Sequence, residues 1–223
     1  MILNMIKNLK AKYNILLLIP AWSVILFHIL PAALVAQYDA SSLYNELNKK
    51  IENVSTISLK FTVNGQTGFK GALKAKKGNK FIIETPANKI ICDGKTIWNY
   101  SESEKKVVIN NYEQNSQGSS VEKFFFSFFQ KYKPQSLKKE TSSKGKFSYI
   151  LGLIPDTKVK DQDLFKEVKI WLSTDNLSIQ RLQFDDGSNK QTWNLSNLNI
   201  NPSLSDKSFR FIPPKDIEII DLR

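Results

Sequence analysis

The stretch SLKFTVNGQTGFKGALKAKKGNKF, residues 58–81, alternates apolar and polar residues around two glycine-containing turns. Leu59, Phe61 and Val63 are separated by single polar residues, and Asn64-Gly65 is a strong signal for a short hairpin turn. Because successive side chains of a strand point to opposite faces, this period of two predicts a β-hairpin with one apolar face. The stretch therefore predicts an antiparallel sheet.

Short strands of the same kind recur along the rest of the chain. Turn signals such as Asp93-Gly94, Asp175-Asn176 and Asp186-Gly187 separate them. Repeated short strands between turn signals favour an antiparallel sandwich or barrel. After the first strand, we predict strands at residues 67–76, 81–84, 89–92, 96–100, 106–110, 146–154, 166–172, 178–184, 190–200 and 217–222.

Two segments have a helical period instead. Residues 40–52 are predicted to form a helix, with Ser41 and Ser42 as candidate caps. Its apolar stripe comprises Leu43, Leu47 and Ile51 and continues to Val54. The apolar face of this helix is expected to pack on the sheet.

The second predicted helix covers residues 119–133 and ends before Pro134. Its apolar residues recur at i, i+3, i+4, i+7, i+8 and i+11, which makes a wide helical stripe. A Phe-rich stripe is most often part of a core. A helix between two groups of strands can also act as a lid over an apolar cavity, so both interpretations stay open. The stripe comprises Val121, Phe124, Phe125, Phe128, Phe129 and Tyr132.

The N-terminal residues have the layout of a secretory signal peptide. Three lysines precede an uncharged apolar stretch, residues 15–35, which ends in small residues before Gln37. This layout is typical of export with cleavage after Ala36. An uncleaved membrane anchor is the alternative, because the stretch is nearly long enough to span a bilayer. We expect residues 1–36 to be removed and residues 37–223 to form a single domain.

Composition argues against most catalytic chemistry. His28, the only histidine, lies in the predicted signal peptide, and Cys92 is the only cysteine. A mature chain without histidine builds neither a Ser-His-Asp centre nor a common zinc site. It also lacks the glycine-rich motifs that cradle phosphates. We therefore expect no enzyme activity, no metal and no cofactor. A carboxylate-dependent hydrolase that uses Glu84 or Asp185 is the weakest alternative.

The chain is basic, with a net charge of +11. Its lysines are spread over predicted strand exteriors and turns, and no nucleic-acid-binding motif accompanies them. Nucleic acid is therefore not expected as a partner, and a weak association with anionic membrane surfaces fits the charge better.

Three segments of the chain resemble a known family. Residues 93–100, Asp-Gly-Lys-Thr-Ile-Trp-Asn-Tyr, match the pattern D-G-x-x-[LI]-W-x-Y. Residues 209–214, Phe-Arg-Phe-Ile-Pro-Pro, match F-x-F-x-P-P, and residues 71–81 resemble the family's G-x-L…F segment. In their order along the chain, residues 71–81, 93–100 and 209–214, the segments resemble the periplasmic outer-membrane lipoprotein carrier family, LolA.

The resemblance implies a mainly β fold, an incomplete, strongly curved antiparallel β-barrel with helices forming a lid over an apolar cavity. Family members bind the acyl chains of lipoproteins and shuttle them through the periplasm from the inner to the outer membrane. The implied partners are acylated lipoproteins, the inner-membrane ABC transporter that releases them and an outer-membrane acceptor. The carrier itself is expected to be a monomer. A lipid-binding module, or a sensor of mislocalised lipoproteins, on the same fold is the alternative function.

One position departs from the family pattern. The family often carries Arg-Pro after its second strand, and that Arg is linked to lid closure and cargo transfer. This chain has Lys77-Gly78 there. Lysine keeps the charge but not the planar multi-donor fork of arginine. Lys77 is therefore the candidate for control of the lid or of a partner.

The acyl-chain cavity and its lid are expected to be lined by large apolar side chains. Hydrocarbon binds through buried area, about 0.8 kcal/mol per CH₂ group, rather than through polar chemistry. The residues predicted to form this site are Leu59, Phe61, Phe69, Leu73, Trp98, Phe125, Phe128, Phe129, Tyr149 and Trp171.

Overall fold

A computed structural model gives the structure of the chain. It describes residues 38–64, 69–112, 126, 128–141, 146–159 and 164–223. The predicted signal peptide lies outside these ranges. No helix within them is long and apolar enough to cross a membrane.

Strands make up most of the described chain. They are β1 (Thr56–Asn64), β2 (Phe69–Lys76), β3 (Lys80–Glu84), β4 (Asn88–Asp93), β5 (Thr96–Ser101), β6 (Lys106–Asn111), β7 (Tyr132–Thr141), β8 (Phe147–Pro155), β9 (Glu167–Ser173), β10 (Ile179–Asp185), β11 (Lys190–Ile200) and β12 (Glu218–Asp221). The described ranges also contain the α-helix α1 (Ala40–Glu52), a helical residue at Phe126 and two 3₁₀ helices, Phe129–Lys131 and Asp206–Phe209.

The twelve described strands form one sheet in the order β12-β6-β5-β4-β3-β2-β1-β11-β10-β9-β8-β7. Its edges, β12 and β7, do not pair with each other, so the sheet is open and curved rather than closed into a barrel. The predicted mainly β, incomplete barrel is thereby confirmed. The pairing is antiparallel except that β12 runs parallel to β6. Before β12, the chain crosses the outside of β3 and β4 to reach the β6 edge of the sheet. A hairpin joins only antiparallel strands, so the parallel pairing of β12 with β6 requires such a longer connection.

Helix α1 has the predicted bounds, residues 40–52, but its cap lies two residues before Ser41, the first predicted cap. Its N-cap is Asp39, whose carboxylate accepts a hydrogen bond from the Ser42 backbone N–H at 2.8 Å. The Asp39 N–H in turn donates to the Ser42 hydroxyl at 3.1 Å, which completes a capping box. Leu43 and Leu47 are buried against the sheet, as the predicted stripe requires.

The side of the sheet that α1 covers is here called the inner face, and it carries two clusters of buried residues. The helix-side core joins α1 to strands β7 to β10. The hairpin-side core is formed mainly by strands β1 to β4. The buried members of the helix-side core are Leu43, Leu47, Phe129, Tyr132, Leu151, Leu153, Val168, Ile170, Leu172, Leu177, Leu182 and Phe184. Those of the hairpin-side core are Val54, Ile57, Leu59, Phe61, Val63, Leu73, Ala75, Phe81, Cys92 and Phe126.

The opposite, outer face is covered in part by the C-terminal segment. Phe209 is completely buried there against Ile82 and Ile91. Asp206 fixes the start of this segment, because its carboxylate lies 2.7 Å from both the Lys76 and the Lys80 ammonium groups. Their hydrogen bonds lower the pKa of Asp206 from 3.8 to about 2. The F-x-F-x-P-P segment therefore covers the outer face of the sheet.

The segment predicted as a long aromatic helix is only partly helical where it is described, with Phe126 in helical conformation. A 3₁₀ helix covers only Phe129–Lys131, and strand β7 begins at Tyr132. The prediction that Pro134 follows a helix end is therefore wrong. Pro134 lies within β7, which tolerates it because an edge strand has one unpaired side. Residues 119–125 of the predicted helix lie outside the described ranges.

Two β-bulges keep apolar side chains on the inner face. On β11, Asn197 and Leu198 both stand opposite Leu59, and Asn197 adopts the left-handed conformation with φ of 52°. On β10, an extra residue follows Ile179. Each bulge shifts the alternation by one residue. Apolar residues on both sides of each bulge can then face the same way.

Candidate functional site

A narrow apolar cleft lies where the two inner-face cores meet. Its volume is about 70 Å³. No charged or polar side chain is among its described lining residues. The lining residues are Ile51, Val54, Ile57, Leu59, Phe128, Phe129, Ile170, Ile179, Leu182, Phe184, Leu195, Leu198 and Ile200.

The walls of the cleft come from two kinds of structure. Strands β1, β9, β10 and β11 supply the floor, and the β11 bulge brings both Leu195 and Leu198 to it. The opposite wall is not part of the sheet: Ile51 comes from α1, and Phe128 and Phe129 come from the segment before β7. The 3₁₀ helix of this covering wall leads directly into β7, and the Asp156 N–H donates to the Lys131 carbonyl oxygen at 2.9 Å. The contacts of the wall over the cleft are made by side chains and are not part of the strand pairing.

Tyr44 joins the two parts of the covering wall. Its hydroxyl lies 2.6 Å from the carbonyl oxygen of Phe129 and 2.7 Å from that of Tyr132. The Tyr44 ring also packs against Phe129, with ring centroids 5.8 Å apart. Burial, and secondarily the negative charge of Asp156, raises the pKa of Tyr44 above its usual value of 10.0. The hydroxyl therefore stays protonated and remains a hydrogen-bond donor at neutral pH.

Aromatic contacts hold Phe128 over the cleft. Its ring stacks on Tyr132 with centroids 4.5 Å apart and meets Phe184 edge-on at 6.4 Å. The Tyr132 hydroxyl accepts a hydrogen bond from the Phe165 backbone N–H at 3.0 Å. Offset and edge-on aromatic pairs each contribute about 0.5–1.5 kcal/mol beyond the area that they bury. The covering wall is thus held closed by several modest interactions.

The cleft is much smaller than a typical ligand pocket. Pockets that hold small molecules typically measure about 300–1,000 Å³, whereas a volume of about 70 Å³ accommodates little more than two water molecules. A purely apolar lining offers no hydrogen bond to a polar ligand. The lining therefore favours hydrocarbon, and the cleft as it stands is too small for a long acyl chain.

A wider groove lies where β1 ends and β2 begins. It measures about 810 Å³ and is open to solvent. Its lining is mixed, since Thr62, Asn64 and Lys70 share it with Val63 and Phe69. Such an open, partly polar surface shields hydrocarbon less well than the apolar cleft, so the cleft is the better candidate site.

Only three of the predicted site residues line the cleft. These are Leu59, Phe128 and Phe129. Phe61 and Leu73 are buried nearby in the hairpin-side core. Phe125 lies outside the described residues.

Phe69 and Tyr149 belong to the inner face but not to the cleft. Phe69 is 41% exposed and meets Phe61 and Trp193 edge-on in the wider groove. Tyr149 packs at the margin of the helix-side core, where it contacts Tyr38. Both remain near the site without lining it.

Trp98 and Trp171 lie on the outer face, and their assignment to the cavity lining is corrected here. Trp98 stands opposite Ile91 and packs with the buried Phe209. Trp171 donates from its indole N–H to a Glu140 carboxylate oxygen at 3.1 Å. Because side chains alternate along a strand, Trp98 and Trp171 point to the outer face while their neighbours Ile97 and Ile170 point to the inner face.

Lys77 lies beside the end of α1. Its ammonium group donates to the Glu52 carbonyl oxygen at 3.2 Å, and its backbone N–H donates to the Ser55 carbonyl at 2.9 Å. A cation at a helix C-terminus is favoured by the helix dipole. Lys77 therefore links the β2–β3 turn to α1, one of the elements of the covering wall.

Most lining residues were missed, although the sequence carried signals for several. Ile51 and Val54 continue the apolar stripe of the predicted helix. Leu195 and Leu198 are three residues apart, a break in the period of two that indicates a bulge. Ile179 and Leu182 have the same spacing on β10.

The candidate acidic residues have structural partners. Glu84 lies 2.6 Å from the Lys89 ammonium group. Asp185 and Asp186 accept backbone hydrogen bonds within their turn, and these bonds lower the pKa of both carboxyls. Burial raises the pKa of Cys92 to about 11, as expected for a small core residue. Across the residues with a described position, no three His, Cys, Asp or Glu side chains are grouped as a metal site.

Comparison with known proteins adds a family match. Residues 52–212 match the family described as outer membrane lipoprotein carrier protein LolA. An outer-membrane lipoprotein carrier protein of Neisseria meningitidis is 27% identical over 131 residues, which are 59% of this chain and 60% of that protein. An uncharacterised protein of Methanocaldococcus jannaschii is 25% identical over 206 residues, 85% of this chain and 56% of that protein. This chain thus spans less than two thirds of the length of both relatives.

A solved structure shares the fold. An uncharacterised conserved protein from Thermus thermophilus superposes with a TM-score of 0.50 at 13% identity, over 82% of this chain and 98% of that one. At this identity the likeness concerns the fold alone.

Proposed function

The chain belongs to the LolA family of outer membrane lipoprotein carrier proteins, and from this premise we propose that it carries lipoproteins by enclosing their acyl chains in the apolar cleft. The carrier is proposed to work in the periplasm after export, and to act without covalent chemistry. The observation that carries the proposal is the wholly apolar cleft under a wall that is not part of the sheet.

The proposed mechanism balances two opposing energies. Burial of hydrocarbon stabilises a bound acyl chain by about 0.8 kcal/mol per CH₂ group, which for several chains would make release very slow. Opening the cleft costs the contacts of Tyr44, Phe128 and Phe129. The apparent affinity is reduced by the fraction of molecules that are open at rest, so the closed wall keeps binding reversible.

The proposed partners follow from the family. Acylated lipoproteins are the cargo, an inner-membrane ABC transporter supplies them, and an outer-membrane acceptor receives them from a monomeric carrier. Lys77 is proposed to influence the covering wall, because it contacts the C-terminal end of α1. The residues proposed to contact acyl chains are the cleft lining, with Phe69 and Tyr149 close by.

A substitution in the covering wall tests the site. We expect Phe128→Glu to abolish uptake of a fluorescent fatty-acyl probe, because a carboxylate in the hydrocarbon path costs several kcal/mol. Ile200→Glu provides a second variant, since Ile200 lines the cleft yet is 48% exposed and tolerates a polar residue. Phe147→Glu is the matched control, at a 47% exposed phenylalanine outside the cleft lining.

Binding that survives in both cleft variants, with the sheet still folded by circular dichroism, would refute the proposed site. The nature of the cargo is tested separately by mass spectrometry of natively purified protein. Co-purifying acylated protein supports the carrier, whereas free lipid alone supports the lipid-binding alternative.

A further inference from the structure

The outer face of three adjacent strands is basic and lacks acidic residues. Strands β2, β1 and β11 are neighbours in the sheet, and their sequences contain five lysines but no Asp or Glu. Three of these lysines, Lys60, Lys70 and Lys74, are exposed and face outwards, since they alternate with inner-face residues such as Leu59 and Leu73. These three are here called the lysine triangle.

The strand register brings the lysine triangle together. Lys60 on β1 stands opposite Ala72, which lies between Lys70 and Lys74 on β2. Diagonal neighbours across paired strands are about 7–8 Å apart. Lys60 therefore lies within about one Debye length of both Lys70 and Lys74 at physiological ionic strength. Lys70 and Lys74 are roughly 13 Å apart along β2, so the three positive potentials overlap most strongly at low ionic strength.

Carboxylates around the lysine triangle already have cationic partners. Glu84, opposite Ala72 on β3, lies 2.6 Å from Lys89. Asp206 binds Lys76 and Lys80. Within the described part of the chain, no salt bridge joins a carboxylate to a member of the triangle. The face therefore keeps a net positive charge.

We propose that the lysine triangle docks the protein on anionic lipid headgroups of a membrane surface. The side chains between the lysines, Ser58, Thr62 and Ala72, are small, and no aromatic or arginine residue stands among them. Protein interfaces usually centre on Tyr, Trp, Phe, Met or Arg. Hydrated lysine ammonium groups without such an anchor fit a fluid layer of phosphates better than a shaped protein partner.

This docking site is separate from the cleft and does not depend on the proposed function. The triangle lies on the outer face, whereas the cleft opens on the inner face. A docked molecule would keep its covering wall away from the lipid headgroups. The surface would then hold the protein near a membrane without inserting it.

Vesicle sedimentation tests the proposal. The purified protein is mixed with phosphatidylcholine vesicles with or without phosphatidylglycerol, and binding is measured as a partition coefficient at low and high salt. We expect binding only to anionic vesicles at low salt. Replacing all three triangle lysines by Gln should lower the partition coefficient roughly 100-fold, because each lysine near an anionic surface contributes about a fivefold factor.

The matched control replaces Lys95, Lys158 and Lys215 by Gln, which removes the same charge from exposed loop positions. Unchanged binding in this control supports the triangle. An equal fall in both triple variants would mean that net charge alone attracts the protein, and would overturn the proposal. Absence of binding to anionic vesicles would also overturn it and would favour an acidic protein partner for this face. Neither result bears on acyl-probe uptake, so the proposed function stands or falls separately.

Discussion

Replacing Tyr44 by Phe should weaken the fold and strengthen ligand binding at the same time. The substitution removes one hydroxyl that lies within hydrogen-bonding distance of two carbonyl oxygens, at 2.6 and 2.7 Å. A net hydrogen bond contributes about 0.5–1.5 kcal/mol, and leaving part-buried carbonyls without this partner adds to the loss. We therefore expect the free energy of unfolding to fall by about 1–2 kcal/mol.

The effect on binding has the opposite sign if the covering wall must move away. The lost hydrogen bond belongs to the closed state, so opening becomes easier by the same amount. Because about 1.4 kcal/mol corresponds to a tenfold change in an equilibrium constant, the apparent affinity for an acyl chain should rise about 5- to 30-fold.

The assay combines urea unfolding with titration of a fluorescent fatty-acyl probe. Tyr38→Phe is the control, because the Tyr38 hydroxyl donates to Glu46 of α1 at 2.6 Å and does not bridge to the segment before β7. Its affinity for the probe should equal that of the parent protein. A Tyr44→Phe variant that is destabilised but binds with unchanged or lower affinity would show that the cleft admits its ligand without breaking this contact.

Two further predictions concern the sheet and its C-terminal cover. Gly71→Ala should lower the free energy of unfolding by about 1–3 kcal/mol, measured by urea unfolding. The added Cβ would lie 2.7 Å from the Phe61 ring and 2.6 Å from the Glu84 carbonyl oxygen. An unchanged unfolding midpoint would contradict this packing. Asp206 contributes stability above its unfolded pKa of 3.8, which is lost as the pH falls through its folded pKa of about 2. Asp206→Asn should therefore be less stable at neutral pH and lose less stability than the parent between pH ~4 and ~2, and parallel acid-unfolding profiles would argue against the ion pairs.

Local pattern was enough to predict most strands, because one-sided burial leaves a period of two in the sequence. Strand β7 was not predicted, because it lacks this one-sided burial. Lys133, Pro134, Lys138, Lys139 and Glu140 dominate it, and an edge strand with few buried positions has little alternation to detect. Its polar residues are explained by its position at the edge of the sheet, where charged residues and proline are common.

Which face of a strand is covered depends on contacts distant in sequence. Alternation around Trp98 correctly separated two sets of side chains, but both faces of β5 have apolar cover. The outer cover comes from Phe209, more than a hundred residues later. No local pattern shows which of the two apolar faces of β5 lines a cavity, so the sequence alone does not exclude Trp98 from the cavity.

The position of the cleft was predictable in kind but not in detail. Phe128, Phe129 and Leu59 were identified because large apolar residues stood in conspicuous stretches. The other walls depend on bulges, where one extra residue reverses the direction of all that follow. The three-residue spacing between Leu195 and Leu198 indicates such a reversal. Only the pairing with β1 shows that both leucines point to the inner face.

The strand order also determines how the chain can assemble. Strands β1 to β6 pair with their sequence neighbours, and so do β7 to β11, so each group can form early from nearby segments. Among the described strands, the pairing of β1 with β11 joins the two groups, so Ile57 must wait for Ile200 to be available, and β12 then adds to the far edge beside β6. We therefore expect a folding intermediate in which two ladders have formed before they dock. The cleft lies at this late junction, so the last contacts to form during folding are close to those that would have to break in the proposed opening.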